Sequence, residues 1–183
     1  MNTGVSRTIE TPRLILRPWR LETDLEPFFI LNSDPQVMKY FPSPLTRAES
    51  DALALKIFEL IEQQGWGFWA IELKETHHFI GFCGLHSQPD LFDFSPCVEI
   101  GWRLDKNYWE KGYAFEAAQA ALNFAFTHLK LDAVVAFTAI QNKPSEKLMQ
   151  RLGMSFQSTF KHPKLPEESP LQLHVLYKIL SSQ

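Results

Sequence analysis

Residues 99–126 constrain this chain more tightly than any other stretch. The strand-like run Cys97–Leu104 leads through a polar connection, 105–111, into Gly112 and then a helix over 114–129 built from alanine, leucine and phenylalanine. A glycine between strand and helix permits a tight turn and a close backbone approach. Ala114 is small and leaves the start of the helix uncovered. The first turn of a helix has unpaired N–H groups and a partial positive charge. Together these features suit a diphosphate, although a glycine ahead of a helix is by itself more often only a turn. No Gly-Lys-Ser/Thr follows, so this is not a Walker loop. One glycine of the three in a dinucleotide fingerprint is present.

The remaining pattern places this unit inside a mixed fold. Arg13 to Arg17 alternates as a first strand between Pro12 and Pro18. Thr23 or Asp24 is expected to cap a helix reaching about Asn32, ended by Ser33-Asp34-Pro35. Thr46 and Glu49 fit a capping box for a second helix to about Gln63, with Leu53, Ile57, Leu60 and Ile61 on one face. Strands over 66–73 and 79–85 flank the polar turn 74–78 as a hairpin. A β-branched strand over 132–139, a short helix over 145–152 stopped by Gly153, and strands over 154–160 and 173–179 follow. The expected architecture is α+β, a single domain over 1–183 around a mostly antiparallel sheet of six to seven strands with about four helices. Residues 1–10 are expected to be a flexible N-terminus.

Composition narrows the function classes. The apolar fraction of 45% and charged fraction of 21% are those of a soluble domain. A formal net charge of −3 without a basic stripe argues against nucleic acid as a partner. No apolar run is long enough to span a membrane, and no secretory leader is evident, so a cytoplasmic location is expected. Cys83 and Cys97 are read as reduced, buried thiols, and neither they nor the six histidines form a metal-ligand pattern. The fifteen phenylalanines and five tryptophans fit a Phe-rich core or an aromatic substrate pocket.

Read together, the neighbouring stretches carry a resemblance. Glu99-Ile100-Gly101-Trp102-Arg103-Leu104, then Trp109-Glu110-Lys111-Gly112-Tyr113-Ala114 and Glu116-Ala117, resemble the cofactor motif of the GNAT N-acetyltransferase superfamily, Gln/Arg-x-x-Gly-x-Gly/Ala. Asn142-Lys143-Pro144-Ser145 and Arg151-Leu152-Gly153-Met154 are similar to its later Asn-x-x-Ser/Ala and Lys/Arg-x-Gly-Phe segments. Thr11 to Arg17 and Asp34 to Met38 resemble the branch of the ribosomal-protein alanine acetyltransferases, the RimJ/RimL-like group. Two positions depart from the pattern. Trp109 stands where many relatives have Gln or Arg, and Met149 where many have a Tyr that protonates the thiolate.

The resemblance implies a V-shaped split between the fourth and fifth strands, after Leu104 and Ala139, and acetyl-CoA as co-substrate without a metal. Pantetheine would pair with backbone at Trp102, Arg103 and Leu104, where an N–H would stabilise the oxyanion. The diphosphate would sit on amides of Trp109, Glu110, Lys111, Gly112, Tyr113, Ala114 and Phe115. Asn142 would hold pantetheine or its own turn. Ser145 is the candidate acid, or else a helix N-cap. Glu99 is the candidate base, or else paired with a basic side chain. In the histone-acetylating branch the basic Glu lies one residue earlier, which reverses the face unless a bulge intervenes. One of His86, His162 and His174 is a candidate for the acceptor pocket, flanked by the Phe92-Asp93-Phe94 loop and the 162–170 loop. The acceptor would be a protein N-terminus or a small-molecule amine. A homodimer is compatible with the branch. A non-catalytic acyl-CoA-binding or regulatory protein on this scaffold is the alternative.

Overall fold

The computed structural model describes residues 8–182, and the expected flexibility of 1–7 lies outside them. Eight strands form one sheet in the order β1-β2-β3-β4-β5-β6-β8-β7. They are β1 Ile9–Glu10, β2 Leu14–Arg17, β3 Phe68–Leu73, β4 Phe79–Gln88, β5 Cys97–Leu104, β6 Ala133–Ala139, β7 Ser155–Lys161 and β8 Leu173–Leu180. Four helices accompany them: α1 Leu21–Ser33, α2 Arg47–Gln64, α3 Tyr113–Thr127 and α4 Lys143–Arg151. Every pairing is antiparallel except β5 with β6. The strand count exceeds expectation by β1, two residues within the stretch expected to be flexible, which pair with Leu16 and Ile15.

Alternation and register assign the two faces. Phe82 pairs with Arg103, His86 with Glu99, and Glu99 with Val135, so these side chains share one face. That face carries α1 and α2: Trp19, Phe28, Phe79 and Phe82 pack there with ring centroids 4.8–6.2 Å apart. The opposite face carries α3, where Trp69 meets Phe124 edge-on at 5.1 Å. Ala117, Ala118, Ala121 and Ala125 are buried, which lets α3 lie close to the sheet.

Several local expectations need correction. α1 begins at Leu21, before Thr23 and Asp24, and has no side-chain cap. Asp24 is instead buried in a bidentate pair with Arg17, whose Nε also donates to Glu72 at 2.6 Å. The capping box at Thr46 and Glu49 forms, and α2 ends on left-handed Gly65. Asn142 caps α4 in place of Ser145. Cys83 is buried, whereas Cys97 is partly exposed. Among the described residues no helix is long and apolar enough to cross a membrane.

Candidate active site

β5 and β6 run parallel but pair at one position, Glu99 with Val135, and then part. On its other side β5 stays paired with β4 through Leu104. The edge of β5 beyond Glu99 therefore presents backbone N–H and C=O groups to an open gap. This is the split expected between the fourth and fifth strands of the sequence reading, now numbered β5 and β6.

The turn at the mouth of the split is built for close approach. Glu110 and Gly112 both have left-handed backbone, φ 60° and 82°. The first amide bonded within α3 is that of Glu116, to the Gly112 carbonyl. The amides of Tyr113, Ala114 and Phe115 thus have no intrahelical acceptor. Trp109 folds back, and its Nε1 donates to the Leu104 carbonyl at 3.0 Å. Lys111 Nζ donates to the Asn107 carbonyl at 3.0 Å.

A clasp from the N-terminal segment braces this turn. Arg13 Nη1 donates to the Lys111 carbonyl at 2.8 Å. Glu116, in the first turn of α3, accepts from Thr11 Oγ1 at 2.6 Å, from the Arg13 amide at 2.8 Å and from Arg13 Nε at 2.6 Å. The Arg13 guanidinium also lies over the Tyr113 ring at 4.4 Å. Both stretches carry the family resemblance, but nothing local in either indicates this contact.

On the α3 side of β5, Trp102 Nε1 donates to Ser145 Oγ at 3.3 Å across the split. Asn142 Oδ1 accepts from the Ser145 amide at 3.3 Å, and its Nδ2 donates to Thr138 Oγ1 at 2.9 Å. Asn142 is not left-handed (φ −79°). It holds its own turn and ties α4 to β6. The Arg151 guanidinium lies 4.6 Å over the Phe115 ring. Met149 is buried.

On the α1–α2 side, Glu99 accepts from Gln88 Nε2 at 3.3 Å rather than from a basic side chain. Burial raises its carboxyl pKa to about 7, against the opposing pull of Gln88 and Lys164. The β4–β5 register runs unbroken from Cys97 to Leu104, so no bulge alters the direction of Glu99. His86 faces it across the strands and stacks on Phe68 at 5.5 Å. Beyond the split, Phe92, Phe94, Phe137, Phe160, His162 and His174 form a second aromatic group, with ring centroids 4.8–6.4 Å apart. Burial, together with His174 and Lys164, lowers the His162 pKa to about 4. The 89–96 and 162–170 loops thus meet beside the split. His77 and His78 lie in the β3–β4 turn and His128 at the end of α3, all away from it.

The Arg103 backbone lies on the same β5 edge as Trp102 and Leu104, whereas its side chain has a place of its own. Its side chain turns to the α1 side, where Nη1 donates to Asn32 Oδ1 at 2.8 Å. A surface hollow bounded by Arg20, His77, His78 and Tyr108 lies elsewhere, and Arg20 and His77 there pair with Glu72. Among the described residues no cluster of His, Cys, Asp and Glu is arranged to hold a metal.

A family model described as an acetyltransferase (GNAT) domain matches residues 13–155. The chain belongs to the GNAT acetyltransferase family. Its GNAT relatives include an uncharacterized N-acetyltransferase, p20, of Bacillus licheniformis, 34% identical over 152 residues and 82% of each chain. A solved GNAT acetyltransferase from Bacillus anthracis superposes with a TM-score of 0.79 at 28% identity, covering 95% of this chain and 98% of that one. RimL, a ribosomal L7/L12 α-N-protein acetyltransferase solved in complex with coenzyme A, shares the GNAT fold at a TM-score of 0.75 and 14% identity, covering 96% and 98%.

Proposed function

We propose that this chain moves the acetyl group of acetyl-CoA onto a primary amine, a protein N-terminus or a small molecule, by direct attack in a ternary complex. One observation carries the reading: the two candidate proton-handling groups flank opposite faces of a strand whose free edge opens into the split. Glu99 lies on the α1–α2 face, and Ser145 meets Trp102 on the α3 face. An amine arriving from one side and a thiolate leaving toward the other need a base and an acid in those places.

The rest of the site fits the same ligand. The unpaired edge of β5 offers partners for the pantetheine amides and an N–H for the oxyanion. The amides of Tyr113, Ala114 and Phe115 suit the diphosphate. Acetyl-CoA supplies an activated thioester, so the residues bind, orient and move protons. An α-amine with pKa about 7.8 is about one-seventh neutral at pH 7, whereas a lysine-like amine is neutral about once in 2,500. Glu99, with a pKa of about 7, suits the second case as a base.

Thiol release from acetyl-CoA with a panel of amines tests the reading. Acetyl-CoA is expected to raise Tm, as a ligand of the folded state must, and at least one amine to release thiol above the hydrolysis blank. Ala114→Glu, which adds bulk and negative charge at the turn, is expected to abolish the Tm shift. Stabilisation without turnover on any amine identifies a non-catalytic acyl-CoA-binding protein. No stabilisation by cofactor far above micromolar sinks both readings.

A further inference from the structure

Arg103 brings a cation under the α1–α2 face without an acid to meet it. The guanidinium carbon lies 4.3 Å from the centroid of the Phe41 ring and 5.3 Å from that of Phe82. Nη1 has the neutral Asn32 side chain as its partner. Nε is fully buried and has no hydrogen-bond partner. Among the described residues no carboxylate pairs with it. Burial pulls its pKa down to about 10. Arg17, buried on this face, has Asp24 and Glu72 at 2.6–2.9 Å. A buried guanidinium with an empty donor edge is costly unless something pairs with it.

Arg103 lies on the same face of β5 as Glu99 and four residues along, about 13 Å between Cα atoms. Between them Gly101 has no side chain, and the edge of the Phe68 ring comes within 3.2 Å of where its Cβ would be, so the stretch is bordered by apolar atoms. An apolar spacer between two polar ends matches that path.

We propose that Arg103 anchors an anionic group on the acceptor, so that the substrate is an amine that also carries a carboxylate, separated from it by an apolar spacer. The amine is directed to Glu99. The carboxylate takes the free Nε–Nη2 edge of the guanidinium, a geometry suited to two parallel hydrogen bonds. Phe41, 39% exposed in the α1–α2 connection, is the side chain that such a carboxylate would have to displace. This inference rests on the acetyl-transfer reading of the split.

The test uses the full chain, saturating acetyl-CoA and ω-amino carboxylates from glycine to 6-aminohexanoate, each compared with its own primary amide. For wild type, kcat/KM for at least one longer carboxylate is expected to exceed that of its amide by about 30-fold, mainly through KM. Arg103→Met is expected to bring the pair within about twofold while the Tm shift with acetyl-CoA persists. Arg103→Lys is expected to restore part of the difference. Arg103→Gln, which can still donate to Asn32, serves the same comparison if the Met variant does not fold. Calorimetric titration of 6-aminohexanoate in the presence of CoA is expected to show binding to wild type that the variants lose. Equal use of carboxylates and amides by wild type, or an unchanged ratio in the Met or Gln variant, overturns the anion site and leaves acetyl transfer standing. Absence of any acetyl-CoA Tm shift in wild type overturns both.

Discussion

Ser145 Oγ already accepts a hydrogen bond from Trp102 Nε1 at 3.3 Å. A hydroxyl that accepts can still donate its proton, and among the described residues none receives it. Neither neighbouring candidate matches it. The Met149 thioether has no proton to give, and the Tyr177 hydroxyl donates to Glu146 at 2.9 Å. Ser145→Ala is expected to lower kcat by about tenfold or less, because a thiolate of pKa about 8.5 leaves with modest help. Acetyl-CoA affinity is expected to change by less than about twofold, as measured by calorimetry. Wild-type kcat would reduce Ser145 to a support for the Trp102 ring. Residue type and motif position single out Ser145 and Glu99 in the sequence. They do not reveal Gln88, and they leave His86 one of three candidate histidines, because the register across the 89–96 loop decides which β4 side chains face Glu99.

The turn from β5 to α3 behaves as one element with the start of β2. Left-handed backbone at a non-glycine such as Glu110 costs about 1 kcal/mol or more, and persists where neighbours enforce it. Arg13 supplies that enforcement through the Lys111 carbonyl, and Glu116 fixes Arg13 in turn. Arg13→Ala is expected to weaken acetyl-CoA binding by about tenfold, with a smaller effect on acceptor KM. Glu116→Gln is expected to act in the same direction, and the double variant to lose less than the sum of the two. Strict additivity by calorimetry would show that the two do not work as a unit. The glycine turn and the alanine-rich helix are legible in the sequence because their signals are local. The clasp is not, since no periodicity connects Thr11 with Glu116. The start of α1 is misplaced for a nearer reason: Asp24, which local pattern assigns to a cap, is taken by Arg17 seven residues before it.

At the scale of the whole molecule, the role proposed for Glu99 sets stability and catalysis against each other. Its folded pKa, raised by burial to about 7, lies above the ordinary carboxylate value, so folding favours its protonated form. Its contribution to stability is fully present below about pH 4.5 and is lost as pH rises through about 7. A base must be ionised, so turnover rises over the same interval. Glu99→Gln is expected to lower kcat/KM for lysine-like amines and to remove the decline in stability, a difference on the order of 3 kcal/mol between pH 5 and pH 8. The depressed pKa values of His86, His162 and His174 work in the opposite sense and are common to both proteins. Parallel denaturant titrations and pH–rate profiles check this, and identical stability curves would refute it. At this scale the α+β class, the element order and the mostly antiparallel sheet are legible from alternation, helix period and turn residues. β1 is not, because two residues carry no period. The clasp has a further consequence in time. Its hydrogen bonds join residues 103 and 105 apart in sequence, and closing so long a span is entropically expensive until the intervening strands have docked. Full affinity for the proposed acetyl-CoA co-substrate is therefore expected to be among the last properties the folding chain acquires.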